Sequence, residues 1–420
     1  MNLVVAGGGL AGCAAAVRLA DAGHRVVLVE RHPLLGGKAG TFLWNGVRFD
    51  TGQHVATKAC TALRGFLEKI SAADAIRWQS RLRIPFAAPG GKRAVLTRWP
   101  LPAPFHLLPA LMGFDLLTPE ERRKLKRVLD AAKAGAPETL TFREWLRAQN
   151  QGEAAVRRLW EPLVLAVCNA GAGEISARAG AWVIRTGMLE SASALDLGIP
   201  SRTLNAMTDL PVRAFLAAHG GEVRTGEGVE ALLLKDGRAA GVRMRSGEEV
   251  AADGVVLALD WAAVDALLPG RLPAARLKPG AILSAVLRLD REILPEGETF
   301  VGLVDQPAQW AFAKGHGFLS LVFSGANTLA SRPTPEILGL AESSLRACLP
   351  RMAGARILDA VVLREKRATF LASPGAEALR PSAGALGVEG LALAGAWTAT
   401  GWPATMEGAV RSGNAVTLSA

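Results

Sequence analysis

The chain opens with Met1-Asn-Leu-Val-Val-Ala-Gly-Gly-Gly-Leu-Ala-Gly-Cys, and no other stretch constrains the fold as tightly. The apolar run from Leu3 to Ala6 reads as a buried strand and Ala11 to Ala20 as the helix after it. Val26 to Val29 reads as a second strand, with Glu30 at its end. Gly7, Gly9 and Gly12 stand between strand and helix in the spacing G-x-G-x-x-G, the pattern of a dinucleotide site. Gly7 permits the tight turn, Gly9 lets backbone approach a pyrophosphate, and Gly12 lets helix and strand pack closely. The first helical amides, around Leu10 and Ala11, meet the phosphate charge. Glu30 can accept hydrogen bonds from a ribose diol and would repel a 2′-phosphate. A functionless glycine turn would have to reproduce five coincident features.

At 420 residues the chain is long enough for two or three domains, and half its residues are apolar. Tyrosine is absent, which excludes any mechanism that needs a phenol. Cys13, Cys60, Cys168 and Cys348 are too dispersed for a redox pair or a metal knot, and no metal site is expected. The formal charge is +10, but the arginines are scattered and form no nucleic-acid module. An anionic membrane, a diphosphate substrate or a merely basic soluble enzyme all fit that charge. No apolar span reaches transmembrane length and the N-terminus lacks a basic leader, so the expected location is cytoplasmic, with peripheral membrane contact left open.

Directly after Glu30 comes Arg31-His-Pro-Leu-Leu-Gly-Gly-Lys-Ala-Gly. A Gly36-Gly37 loop folding back over the pyrophosphate suits an embedded flavin dinucleotide better than an exchangeable NAD. Lys38 stands either against phosphate or free in solvent. Asn45-Gly46 marks a hairpin leading into Asp50-Thr-Gly-Gln-His54, where His54 is either substrate-facing or a structural hydrogen-bonding histidine. Trp99 to Leu117 is very apolar and broken by four prolines, suited to a greasy channel, a bilayer interface or the core of a helical cap. Thr118-Pro-Glu-Glu is a helix start. A mainly helical insert spans about 100–200, a helix is expected over 210–219, a hairpin turn at Lys235-Asp236-Gly237, and strands over 281–289, 317–323 and 356–370. The last informative stretch, Leu391 to Val416, reads as a strand, a Gly/Thr-rich turn and a helix whose N-terminus could stabilise negative charge on reduced flavin. Its small residues Gly408, Ala409, Ser412 and Gly413 permit close approach to a cofactor.

These pieces together resemble the phytoene desaturase and amine oxidase superfamily of FAD enzymes, and within it the hydroxysqualene dehydroxylase branch. The resemblance rests on Val5–Gly12, Leu35–Lys38, Phe49–His54, Leu101–Leu108, Trp160 with Cys168–Ala170, Arg185–Leu189 and, most specifically, Thr398–Gly413. Two positions depart from it. An acid is common where Ala396 stands, which removes one flavin-chain contact worth roughly 0.5–1.5 kcal/mol. Asn is usual where Thr51 stands.

The resemblance implies an α/β protein: an FAD-binding Rossmann-like domain (1–75, 202–260, 385–420) and a discontinuous mixed α+β substrate domain with a helical cap (76–201, 261–384). It implies FAD contacts at Gly7, Gly9, Leu10, Ala11, Gly12, Glu30, Arg31, Gly37, Lys38, Val229, Gly395, Trp397, Thr405 and Met406. The implied reaction is reductive removal of the allylic hydroxyl of hydroxysqualene to give squalene, a step towards hopanoids. The protonated hydroxyl leaves as water and hydride comes from reduced FAD, whose electron donor the sequence does not name. His54 is the expected proton donor or hydroxyl-orienting group, with Glu407 the weaker alternative. Trp402 and Trp397 are candidates for cation–π support of a carbocation. A carotenoid-type desaturase running in the oxidative direction is the nearest alternative. An amine oxidase fits less well, and a non-catalytic flavin-bearing polyprene carrier is the alternative of another class.

Overall fold

The computed structural model describes residues 1–418; Ser419 and Ala420, the end of the expected C-terminal nucleotide segment, lie outside the described residues. The first strand, Asn2–Ala6, is the centre of a five-stranded parallel sheet. Its strand order is Glu222–Thr225, Arg25–Glu30, Asn2–Ala6, Gly254–Leu257, Leu391–Leu393. Near-continuous Val, Leu and Ala runs suit strands covered on both faces. The Leu10–Asp21 helix covers one face, together with the Thr61–Lys69, Leu204–Ala218 and Met406–Asn414 helices. The chain winds outward from the first strand to Glu222–Thr225 and then restarts on the other side. The reversal between Asn2–Ala6 and Gly254–Leu257 is where open α/β sheets bind ligands, at the carboxyl ends of the strands.

A second, seven-stranded sheet runs in the order Ile357–Phe370, Pro279–Leu289, Phe318–Phe323, Trp310–Gly315, Phe300–Leu303, Arg83–Ala88, Lys92–Thr97. Its pairings are antiparallel except where Gly302 and Leu303 pair in parallel with Phe86 and Ala87. Alternation divides its two faces. Leu283, Ala285, Leu287, Leu321 and Phe323 pack beneath the Thr334–Cys348 helix. Phe86, Phe300, Trp310, Phe312 and Val322 face the helical region instead. That region includes the Pro119–Ala134 helix, begun by a Thr118/Glu121 capping box as expected.

The expected hairpins turn at Asn45-Gly46 and Asp236-Gly237, all four residues with positive φ. The helix expected over 210–219 begins earlier, at Leu204, and carries Pro211 inside it. The sequence reading missed the Phe300–Leu303 and Trp310–Gly315 strands, which bridge the two halves of the large sheet. Two helical stretches, Val156–Trp160 and Arg185–Leu189, widen to π-helical turns; such turns are rare and cluster at functional sites.

Candidate active site

The glycine turn forms the nucleotide cradle. Gly7 has φ +108° and donates its amide to the Val29 carbonyl at 2.8 Å. A Cβ on Gly12 would sit 1.8 Å from the Gly7 oxygen, so only glycine allows this contact. The Gly36-Gly37 loop folds back onto the turn: the Gly36 amide donates to the Gly8 carbonyl at 2.8 Å, and a Cβ on Gly37 would lie 2.9 Å from the Gly9 Cα. Gly9 is the N-cap of the helix beginning at Leu10 and Ala11, with no side-chain cap and no acid in its first turn. That helix start is therefore open to an external anion.

Glu30 is buried beside the turn, and its two oxygens accept the amides of Gly8 (2.7 Å) and His32 (2.8 Å). These bonds fix the carboxylate at the strand end, where an adenosine ribose would lie. Arg31 is exposed, and its Nε donates to His32 Nε2 at 3.2 Å. The Gly226 and Glu227 amides donate to the His32 and Glu30 carbonyls, so the chain entering Val229 runs beside this acid. The Lys38 ammonium is not free in solvent: it pairs with Asp260 at 3.1 Å and the Arg367 carbonyl, 5.5 Å above the Trp261 ring.

The C-terminal segment closes the cradle. The Gly395 amide donates to Ser412 Oγ at 2.8 Å. Trp397 is buried with Trp261, and its indole N–H donates to the Leu259 carbonyl at 3.0 Å, so its ring packs in the core. Trp402 meets the edge of Trp182 at 4.8 Å and carries the Arg411 guanidinium 4.6 Å from its ring centroid. Thr405 caps the Met406–Asn414 helix by accepting the Gly408 amide, and Met406 is buried. One of the small residues of this helix, Gly413, serves a close helix–helix approach. A Cβ on Gly413 would lie 2.3 Å from the Ala11 carbonyl, so the closing helix packs on the first helix.

Glu407 requires a correction. It is fully buried, and its carboxylate accepts the Ala62 amide (3.0 Å), the Leu63 amide (2.7 Å) and Arg411 Nε (2.7 Å). It thus caps the Thr61–Lys69 helix from a distant part of the chain. A carboxylate stabilised as an acceptor by three donors is a poor source of a proton.

The loop after the hairpin brings polar groups onto an apolar wall. His54 Nδ1 lies 3.0 Å from the Gly52 carbonyl, the contact of an Nδ1–H donor, which leaves Nε2 without a proton in the neutral ring. Burial pushes the imidazole below its ordinary pKa, against the opposing effects of the Gly52 carbonyl and Asp50. Gln53 donates to the His54 carbonyl at 3.0 Å and accepts the Lys314 ammonium at 2.5 Å. Burial also lowers the Lys314 pKa, with Asp50 opposing. Ser284 Oγ is buried with no hydrogen-bond partner among the described residues. A Cβ on Gly52 would lie 3.9 Å from both His54 Cε1 and Ser284 Oγ.

Sequence reasoning singled out His54 and gave no sign of Ser284 or Lys314. Each is a lone polar residue in an apolar strand. Only the pairings Ser284 with Val322, and Val322 with Trp310, place both on the face that carries Trp310 and Phe312.

The glycine cradle, the open helix start, and the fixed acid at the strand end fit a dinucleotide. Comparison with known proteins agrees. The sequence profile of the flavin containing amine oxidoreductases matches residues 10–417. A hydroxysqualene dehydroxylase of Rhodopseudomonas palustris is 30% identical over 98% of this chain and 96% of its own length. A 15-cis-phytoene desaturase of Glycine max is 25% identical over 98% of this chain and 78% of its own. An oxidoreductase of Methanosarcina mazei shares the fold, with a TM-score of 0.77 at 18% identity over 99% of both chains. The chain therefore belongs to the flavin containing amine oxidoreductases, the FAD-dependent superfamily that also holds the phytoene desaturases.

Proposed function

We propose that this protein is an FAD-dependent oxidoreductase that moves a hydride between a long isoprenoid chain and its flavin. The carrying observation is the inner face of the large sheet. Phe86, Phe300, Trp310, Phe312 and Val322 form a continuous apolar wall against the helical cap. The wall meets the Gly52–His54 loop, which follows directly from the nucleotide half of the chain. A wall of this kind suits a hydrocarbon and offers no cage for a polar amine. FAD, when bound, supplies the hydride-transferring centre. The chain's own residues hold the pyrophosphate at the Gly7–Gly12 turn, orient the ribose at Glu30, and exclude water with the apolar wall.

Relatives named as desaturases and relatives named as dehydroxylases match over the same share of this chain. Oxidative desaturation of a hydrocarbon polyprene is therefore one direction of the proposed chemistry. Reductive dehydroxylation of hydroxysqualene to squalene is the other. One specific observation favours it: the buried, unpartnered Ser284 Oγ, on the otherwise apolar strand face of Val322 and Trp310 and beside the Gly52–His54 loop. Anaerobic incubation with reduced flavin and hydroxysqualene, in parallel with oxidised flavin and phytoene, separates the two. Squalene with flavin oxidation supports dehydroxylation, new conjugation with flavin reduction supports desaturation, and binding without turnover supports a carrier.

Substrate entry is assigned to the proline-broken segment 99–117, as a site of peripheral membrane contact. Trp99, Leu101, Phe105, Leu108 and Met112 are exposed there. Leu111, from the same run, is buried in the core. Polar substitutions at Trp99, Phe105 and Leu108 should therefore abolish flotation with anionic liposomes without loosening the fold. Unchanged flotation removes the assignment.

A further inference from the structure

Three polar side chains lie buried on one face of the Leu204–Ala218 helix. Asn205, Thr208 and Asp209 are spaced i, i+3 and i+4, and all three are withdrawn from water. Buried polar groups in such a setting ordinarily serve a partner across the fold. Here the partner is a single residue of the glycine loop, Leu35. Asp209 Oδ1 accepts the Leu35 amide at 3.0 Å, and Asn205 Nδ2 donates to the Leu35 carbonyl. Arg213, one turn on, pairs with Asp209 at 3.0 Å and reaches the Pro33 carbonyl at 3.4 Å. Gly36 follows with φ +122°, and a Cβ there would lie 3.0 Å from Asn205 Nδ2 and 2.6 Å from the Ala39 carbonyl oxygen. The helix is itself fixed, since its Leu204 amide donates to Asp50 Oδ1 at 2.8 Å.

These bonds occupy the inner polar groups of the Leu35–Gly37 loop. The Leu35 amide and carbonyl go to the helix, and the Gly36 amide goes to the Gly8 carbonyl. The amides of Gly37 and Lys38 have no hydrogen-bond partner among the described residues, and both residues are exposed. They stand at the tip of the loop, where a Cβ on Gly37 would come 2.9 Å from the Gly9 Cα. Backbone amides beside an open helix start suit an anion. We propose that Asn205 and Asp209 are positioning residues for the cofactor. They hold the Leu35 backbone so that the Gly37 and Lys38 amides stand preset for the pyrophosphate of FAD. The proposal rests on the FAD reading of the glycine cradle and is independent of which isoprenoid is turned over.

The physical effect is preorganisation. Glycine loses more backbone freedom on ordering than any other residue type, and this loop has two in a row. Held by the helix, the loop is ordered before FAD arrives. Released, it must be ordered by FAD binding, and affinity falls. The two side chains have opposite roles in the grip: Asn205 must donate and Asp209 must accept. Asn205→Asp keeps the shape but sets oxygen against oxygen. Asp209→Asn keeps an acceptor for the Leu35 amide and removes only the charge.

The test compares full-length wild type with Asn205→Asp, Asn205→Ala and Asp209→Asn. Free-flavin fluorescence reads the FAD dissociation constant, and ADP and adenosine are titrated as competitors. Asn205→Asp and Asn205→Ala should each weaken FAD about tenfold or more, the effect of ordering a residue or two at binding. ADP should compete better than adenosine in wild type, and the ratio of their inhibition constants should shrink about tenfold in both Asn205 variants. Asp209→Asn should stay within about threefold of wild type on both measures. A general loosening of the fold would weaken adenosine and ADP alike, so the ratio isolates the pyrophosphate loop. The uncharged Asn205→Ala covers the case in which Asn205→Asp fails to fold. Wild-type FAD affinity, or an unchanged ADP-to-adenosine ratio, in the Asn205 variants overturns the proposal and leaves the FAD reading intact. So does an Asp209→Asn protein that loosens FAD as much as Asn205→Asp, since charge and not the hydrogen bond would then hold the loop. A wild type that binds neither FAD nor ADP overturns the FAD reading itself.

Discussion

Glu407→Gln separates a structural carboxylate from a catalytic one. Glu407 accepts three hydrogen bonds, two from helix-start amides and one from a guanidinium. Glutamine keeps the shape and one acceptor oxygen, but places an NH2 group against a second donor. Hydrogen bonds to a charged acceptor contribute roughly 1.5–3 kcal/mol each. Arg411 is 34% exposed, so water offsets part of its loss. The expected cost is therefore about 2–4 kcal/mol. Unfolding entropy of about 2.1 cal/mol/K per residue, over 420 residues, turns that into a fall in Tm of about 2–5 °C. Calorimetry on the FAD-loaded protein reads the shift. Turnover per folded, flavin-bearing molecule should stay within about threefold of wild type. A variant that melts with wild type yet loses turnover by a hundredfold would refute the capping role and return Glu407 to the chemistry.

Three further outcomes follow from the same structure. Gly12→Ala would set a methyl carbon 1.8 Å from the Gly7 carbonyl, so the purified variant should carry little FAD, read from its visible absorbance per protein. Asp196 is fully buried and holds Arg98, Lys58 and the Leu82 amide, so Asp196→Asn should cost about 3–5 kcal/mol in denaturant melts. Burial raises the Asp196 carboxyl, but Arg98 and Lys58 outweigh it and hold the group below its ordinary pKa. The folded state is therefore the weaker proton binder. This contribution is complete above the unfolded pKa near ~3.9 and is lost as pH falls through the lower folded value, and Asn should remove that acid dependence. His106 is fully buried with neither ring nitrogen bonded among the described residues, so His106→Leu should raise stability by about 1–3 kcal/mol. Burial lowers its pKa, with Arg98 in the same direction. The unfolded chain then binds the extra proton below about pH 6.5, and wild type should lose up to about 1.4 kcal/mol per pH unit there relative to the leucine variant.

The nucleotide half was legible because its demands are local. A glycine turn, a strand-ending acid and the Gly36-Gly37 loop each follow from a few neighbouring residues, and the structure brings them together through the Gly36 amide and the Gly8 carbonyl. The Asn45-Gly46 and Asp236-Gly237 turns were legible for the same reason. Glu407 was misread because its partners, Ala62 and Leu63, lie 345 and 344 residues away. An acid in the first turn of a helix normally serves its own helix, and nothing nearby indicates that it caps another. Lys38 was left between two settings because Asp260 reaches it only through the sheet crossover. Ser284 and Lys314 gave no signal, since a single polar residue in an apolar strand looks like an outward-facing position. Their shared inward face depends on strand pairings that no local pattern specifies.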